Sequence, residues 1–227
     1  MPMLSSFGGG SARAFGMNAF VADEPIGIIS TCYGSPATVN NSVGGPSLTN
    51  VNSVGTSSLE PSGTGKINSA SFNGSNTYLQ TTLSSENTIQ GSGDFTFTFY
   101  AKRDSFVSPN KPSYERIFSL SNGSTEISIE DYTESTDNSI TLNTGGESQL
   151  TNIPVGNIED WFRVTVLRDS GTLKVYVGTS LQATQSNTRN FSAFTNFRIG
   201  SDYNAGKIWD GLIHKFEFSN EIAVVPT

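Results

Sequence analysis

An all-β sandwich of antiparallel strands is the fold class this sequence predicts, and three observations predict it. Apolar and polar residues alternate with a period of two in segment after segment, as where Phe162, Val164 and Val166 alternate with Arg163, Thr165 and Leu167. That is the pattern of a strand with one buried face. Clusters of Gly, Asn, Asp and Ser break these runs at intervals of roughly 8–12 residues, the rhythm of a many-stranded β domain. Only 35% of the 227 residues are apolar, which suits sheets that each keep one face wet.

Taken in order, residues 1–22 are rich in Gly, Ser and Ala, with scattered Leu4, Phe7, Phe15, Met17 and Phe20 and a single charge, Arg13. Gly8-Gly9-Gly10 opposes a helix, since each glycine costs about 1 kcal/mol relative to alanine. The segment has too little apolar surface to fold alone and too much for a solvated linker. It reads as a docking arm that orders against a partner through Leu4, Phe7, Arg13, Phe15 and Phe20; a floppy N-terminus is the plainer alternative. Residues 23–65 form a connecting segment with short strands, in which Asn41-Ser42-Val43-Gly44 is echoed by Asn52-Ser53-Val54-Gly55. Its short strands would pack on the sandwich or on neighbouring subunits, unless the segment is a loosely ordered spacer.

The sandwich body is expected over residues 66–222, with a C-terminal tail at 223–227. Phe95, Phe97 and Phe99 alternate with Thr96, Thr98 and Tyr100. Burying each ring contributes about 2–3 kcal/mol, which marks a central strand. Further strands are expected at 116–120, 126–130, 139–142, 196–200 and 211–219. The stretch 161–184 reads as two successive hairpins, turning at Asp169-Ser170-Gly171 and again at Gly178-Thr179-Ser180. Such hairpins are stable only inside a larger sheet.

The same stretch, WFRVTVLRDSGTLKVYVGTSLQAT, resembles the central hairpins of laminin-G-like, concanavalin A-like jelly-roll domains, with their W-x-x-V-x-V-x-R-[DN]-x-G-x-L core. Ser71 to Leu79 (SFNGSNTYL) resembles the opening strand and turn of that family, and Gly93 to Lys102 (GDFTFTFYAK) its following strand. Phe197-Arg198-Ile199-Gly200 and Trp209-Asp210-Gly211-Leu212-Ile213 resemble its closing strands. The resemblance implies an antiparallel jelly-roll β-sandwich preceded by an extended N-terminal arm. It leaves function open, because this fold serves lectins, glycosidases, adhesion modules and viral structural proteins alike.

Several functions are disfavoured by inventory. A net charge of −7 argues against a nucleic-acid surface, which needs clustered Lys and Arg. Cys32 is the only cysteine, so an intrachain disulfide cannot form, and it reads as a buried spectator thiol. The first residues lack a basic region followed by an apolar run, and no apolar stretch reaches membrane-spanning length, so neither a secretory signal nor a membrane span is expected. His214 is the only histidine and reads as a surface residue, which leaves no nucleophilic triad and no zinc cluster.

Some glycosidases of the resembled fold place catalytic acids at alternating positions of one strand. Here Glu126, Ser128 and Glu130 share a strand face, but carboxylates four residues apart on a strand stand about 13 Å apart. Retaining chemistry needs about 5–5.5 Å and inverting chemistry about 6.5–9.5 Å, so the face reads as solvated and non-catalytic. Calcium at the rim of the sandwich, which the resemblance implies for some members, would fall to Asp202, Asn204 and Asp210, or to the acidic loop carrying Asp131, Glu134 and Asp137. Asp and Asn are also ordinary turn formers. Glycan binding would use Tyr203 and Trp209 as aromatic platforms beside Asp202 and Asn204, with core packing the competing role for Trp209.

An acidic, signal-less sandwich behind a glycine-rich apolar arm resembles structural proteins of tailed bacteriophages. The expected function is therefore a non-enzymatic virion protein: a capsid decoration, neck or tail component made in the host cytoplasm. Its arm would dock on other virion proteins within a symmetric assembly, and its lectin-like sandwich would face host surface polysaccharide. The alternatives are a free carbohydrate-binding module and, further off, a glycoside hydrolase dependent on Glu126.

Overall fold

The computed structural model describes residues 28–34, 45–104, 114–132, 138–146, 148–157 and 159–220. The arm residues Leu4, Phe7, Arg13, Phe15 and Phe20, the loop residues Glu134 and Asp137, and the tail at 223–227 lie outside the described residues. So does the side chain of Tyr132.

The described residues form strands β1 (Ile29–Thr31), β2 (Thr49–Val51), β3 (Gly55–Ser57), β4 (Ser69–Asn73), β5 (Tyr78–Thr82), β6 (Phe95–Arg103), β7 (Tyr114–Ser121) and β8 (Glu126–Tyr132). They continue with β9 (Ser139–Thr144), β10 (Leu150–Pro154), β11 (Phe162–Asp169), β12 (Thr172–Val177), β13 (Ser180–Ser186), β14 (Asn196–Ile199) and β15 (Asp210–Ser219). One sheet runs β13-β12-β11-β6-β15-β4-β3, and the other β10-β9-β8-β7-β14-β5-β2. This is the antiparallel sandwich the sequence predicts. Three short strands from the segment before residue 66 also join it: β1 pairs with β15, β2 with β5 and β3 with β4. β1 lies along β15 at Phe216–Phe218 and β4 along the same strand at Asp210–Ile213, so β1 prolongs the line of β4.

The period-two pattern translates directly into a core. Phe95, Phe97 and Phe99 point inward and are wholly buried. The Phe97 ring stacks on Phe118 at 4.5 Å and on Phe218 at 4.6 Å, and Phe99 stacks on Phe216 at 5.5 Å. The β11–β12 hairpin closes Asp169 against Thr172 through Ser170 (φ 50°) and Gly171 (φ 78°). Positive φ at both central residues is the turn whose twist matches flanking strands. Cys32 is buried beyond the end of β1, and burial holds its thiol far above the usual range.

Each end of this core is closed by a buried arginine. At one end Arg103 of β6 grips Asp131 of β8 through Nε and Nη2, joining the two sheets. Burial pushes the Asp131 carboxyl up to about 6 against the downward pull of Arg103. Asp131 is therefore an interior residue rather than the acidic-loop calcium ligand the sequence proposed. At the other end Arg168, fully buried, lies over the Phe95 ring at 5.0 Å and the Phe191 ring at 4.8 Å. Its guanidinium donates to the Gly93 carbonyl and to Asn187 Oδ1.

Candidate functional site

The outer face of the second sheet carries a polar row built by strand register. Thr49 of β2 pairs with Gln80 of β5, Gln80 with Arg198 of β14, and Arg198 with Ser119 of β7. Ser119 then pairs with Ser128 of β8, and Ser128 with Asn143 of β9. Because side chains at paired positions share a face, these six polar residues cross the sheet in line, while Leu79, Phe197, Leu120 and Ile127 beside them fill the core.

The row has a sealed half and an open half. On the sealed half, a bulge between Arg116 and Phe118 turns Arg116 outward opposite Glu130 while Ile117 and Phe118 both stay inside. Arg116 Nε meets Glu126 Oε1 at 2.8 Å and Nη2 meets Glu130 Oε1, with these three side chains only 7%, 9% and 10% exposed. Ser128 Oγ donates to Glu126 Oε1 at 3.1 Å, and Asn143 Nδ2 donates to both Ser128 Oγ and Glu130 Oε1. The expected solvated strand face is thus a buried ionic network, and its two carboxylates converge on one guanidinium. Sequence spacing along the strand says nothing about a cation arriving from the neighbouring one.

On the open half, Thr49, Gln80, Thr82, Asn196, Arg198 and Tyr203 line a groove of about 360 Å³, within the range of small-ligand clefts. Arg198 is fixed from two sides: it lies over the Tyr78 ring at 4.9 Å, and Nη1 donates to the Asp202 carbonyl at 2.9 Å. Tyr203 stands where the halves meet, its backbone N–H directed at Glu126 Oε2 at 3.4 Å.

The loop that carries the expected glycan and calcium residues is divided by the structure. Tyr203 is half-buried beside the groove, and Asn204 is exposed. Trp209 is 0% exposed and belongs to the core. It cannot serve as a platform, because its ring is enclosed within the core. Asp202 is buried, and its Oδ1 accepts from the backbone of Gly206 at 2.7 Å and of Lys207 at 3.2 Å. It closes its own turn and is not presented to a ligand. Asp210 begins β15, with its N–H donating to Glu115 Oε2 at 2.9 Å. Among the described residues no group of three or more His, Cys, Asp or Glu side chains stands at metal-binding spacing, and of the residues expected for calcium Asp202 is occupied by its own turn.

His214 is also corrected. It is fully buried on the outer side of the first sheet, beneath the turn at residues 59–68. Nδ1–H donates to the Asn68 carbonyl at 2.7 Å, leaving Nε2 to accept from the Thr64 hydroxyl at 3.0 Å. Burial lowers its pKa. Sequence reasoning missed Thr49, Gln80, Asn196 and Arg198 altogether. Their alternation with buried neighbours was visible, but only the pairing register lines them up.

Two sheets, an aromatic core between them and a polar outer face define the class: a concanavalin A-like sandwich. Residues 73–223 match the family described as the concanavalin A-like lectin/glucanases superfamily, and the chain belongs to it. Among solved structures it is similar to domain 4 of AbnA, a GH43 extracellular arabinanase from Geobacillus stearothermophilus, in complex with arabinotriose. Identity is 14% and the TM-score 0.63, over 87% of this chain and 95% of that one. It is also similar to the binding domain of botulinum neurotoxin serotype G, at 14% identity and a TM-score of 0.65 over 88% of this chain, spanning about half (49%) of that one. A third similar structure is a heptameric SAP-like pentraxin from Limulus polyphemus, at 16% identity and a TM-score of 0.52 over 68% of this chain and 76% of that one. At such identities the likeness is one of fold. Comparison with curated proteins gives no match.

Proposed function

We propose that the chain is a non-enzymatic carbohydrate-binding sandwich whose ligand lies in the groove over β2, β5 and β14. The observation that carries this reading is the open half of the polar row, where Thr49, Gln80, Asn196 and Arg198 lie uncovered beside Tyr203. A sugar needs an apolar ring face to stack on and planar polar groups to meet its hydroxyls. Tyr203 provides the first, and the amides of Gln80 and Asn196 the second. The arabinotriose complex of AbnA domain 4 supports the reading at the level of fold, as does the similar fold of botulinum neurotoxin type C, whose cell entry is dependent upon interaction with two ganglioside molecules. The non-enzymatic part is supported by Glu126 and Glu130, whose carboxylates are both engaged by Arg116 under cover.

The test is a glycan array followed by titration calorimetry. Tyr203→Ala and Gln80→Ala are each expected to weaken the bound glycan about tenfold or more, as for loss of a stacking or hydrogen-bonding partner. A wild-type protein that binds no glycan overturns the proposal. Hydrolysis of a bound oligosaccharide that disappears in Glu126→Gln would overturn its non-enzymatic part.

A second reading concerns context and is favoured by the apolar, glycine-rich residues 1–22. In it the chain is a bacteriophage virion protein made in the host cytoplasm, docked through that segment on other virion proteins in a symmetric assembly. The groove then faces host polysaccharide. Particles assembled with residues 1–22 deleted are expected to lack the protein; unchanged incorporation would sink this reading.

A further inference from the structure

Resting on the groove as a sugar site, we propose that it selects a carboxylated sugar and that Arg198 recognises the carboxylate. The lining of the groove is composed of threonine, glutamine, asparagine and aromatic side chains plus one charge, that of Arg198; among the described residues it contains no carboxylate. Neutral sugar hydroxyls both donate and accept, so a site for them benefits from a strong acceptor such as Asp or Glu. Here the one strong group is a five-donor cation with a planar fork, which matches a carboxylate two bonds at a time.

The guanidinium is also held ready. Stacking on Tyr78 fixes its plane, and the bond from Nη1 to the Asp202 carbonyl fixes its rotation. Its Nε and Nη2 have no hydrogen-bond partner among the described residues, and the side chain is half-buried, not solvated on all sides. Little ordering remains to be done when an anion arrives.

The nearest acids do not compete for it. Asp202 Oδ1 is taken by the backbone N–H groups of Gly206 and Lys207, and Glu126 is taken by Arg116 and by the Tyr203 N–H. The overall charge of −7 opposes an anionic ligand, but at physiological salt that field is screened beyond about 8 Å, and contact geometry decides.

The experiment compares matched pairs that differ in the carboxylate: an oligogalacturonide with its methyl ester, and sialyllactose with lactose, titrated against the full chain. At least one acid is expected to bind ten times or more tighter than its neutral partner, and the preference should shrink between 50 and 500 mM salt. Arg198→Gln is expected to weaken the acid about 10- to 100-fold, the range for a hydrogen bond to a charged group, while moving the neutral partner less than threefold. Arg198→Lys should fall between, having the charge without the fork. Whichever acid binds identifies the source as uronate or sialate. Equal binding of acid and neutral partner, or an Arg198→Gln variant that weakens both alike with an unchanged melting temperature, overturns the selectivity while leaving the sugar site standing. Failure of all four ligands and of a wider glycan array overturns the sugar site and the selectivity together.

Discussion

Arg116 shows how far a single residue can reorganise a face. Without it, Glu126 and Glu130 would be two like charges buried above a hydrophobic sheet; with it, they form one hydrogen-bonded cluster. Removing one partner of a buried ion pair strands the others, at a cost of about 3–5 kcal/mol. Arg116→Met is therefore expected to lower unfolding free energy by that amount in urea titration, whereas Glu126→Gln, which leaves Arg116 its bond to Glu130, should cost less than half as much. The alternation of Glu126, Ser128 and Glu130 was legible in the sequence, but the position of Arg116 depends on a bulge that nothing in the residues 116–118 announces. His214 carries a second residue-scale consequence. Its pKa is lowered in the folded state by burial, so below about 6.5, the unperturbed histidine value, the unfolded chain binds the proton more readily. The stability His214 contributes is then complete above about 6.5 and is lost as pH falls towards the lowered folded value. Around it stand Glu60, which favours the proton, and Lys215, which opposes it, with the rings of Tyr100 and Trp161 alongside. Asp131 acts in the opposite sense, since a carboxyl raised to about 6 takes up protons on the folded side between that value and 3.8. The contribution of His214 is therefore read as a difference: the melting temperature of wild type should drop more than that of His214→Gln between pH 7.5 and 5.5.

At the scale of the element, β15 explains why a simple alternation rule holds and then changes phase. Ile213, Phe216 and Phe218 all reach the core although the first two are three residues apart. The register shifts between His214 and Glu217, where Lys215 adopts φ 48°, so one extra residue is absorbed and the pattern restarts in the opposite phase. Such a bulge is what an odd spacing of apolar residues in a strand requires, and with hindsight Ile213 and Phe216 were its signal. The same strand leaves no room for a side chain at its second residue. Gly211 has φ 149°, and a Cβ there would stand 2.3 Å from the Lys102 carbonyl oxygen of the neighbouring strand. Backbone strain of about 1–3 kcal/mol and overpacking of similar size would combine. Gly211→Ala is expected to destabilise by about 3 kcal/mol, measured as a shift in denaturation midpoint at unchanged slope, while Gly63→Ala, on an open turn with nothing within 4 Å, should cost only its backbone strain.

For the whole molecule, the strands with strong alternation and the hairpins at 161–184 were legible because local pattern and turn chemistry specify them. Short strands before residue 66 were expected, but their positions and partners were not legible, because β1, β2 and β3 are only three residues each and owe their existence to the long strands they border. β1 is the sharpest case, since it lies before the region 73–223 matched by the family, yet Ile29 within it and Cys32 just after it are completely buried, and Ile28 just before it nearly so. Its backbone also extends the line of β4 along β15, with Ile28 N–H donating to the Phe218 carbonyl at 2.6 Å. Burying each isoleucine contributes about 1.5–3 kcal/mol, so β1 is expected to belong to the cooperative unit rather than to the segment that precedes it. Two truncations separate the possibilities. A chain starting at residue 23 should unfold at the midpoint of the full chain, whereas one starting at residue 35 should lose about 3–6 kcal/mol and expose the Phe216–Phe218 edge of β15. An unchanged midpoint in the shorter chain would remove β1 from the fold's energetics. A lowered midpoint in the longer one would instead make residues 1–22 part of the sandwich, leaving no free segment to dock elsewhere.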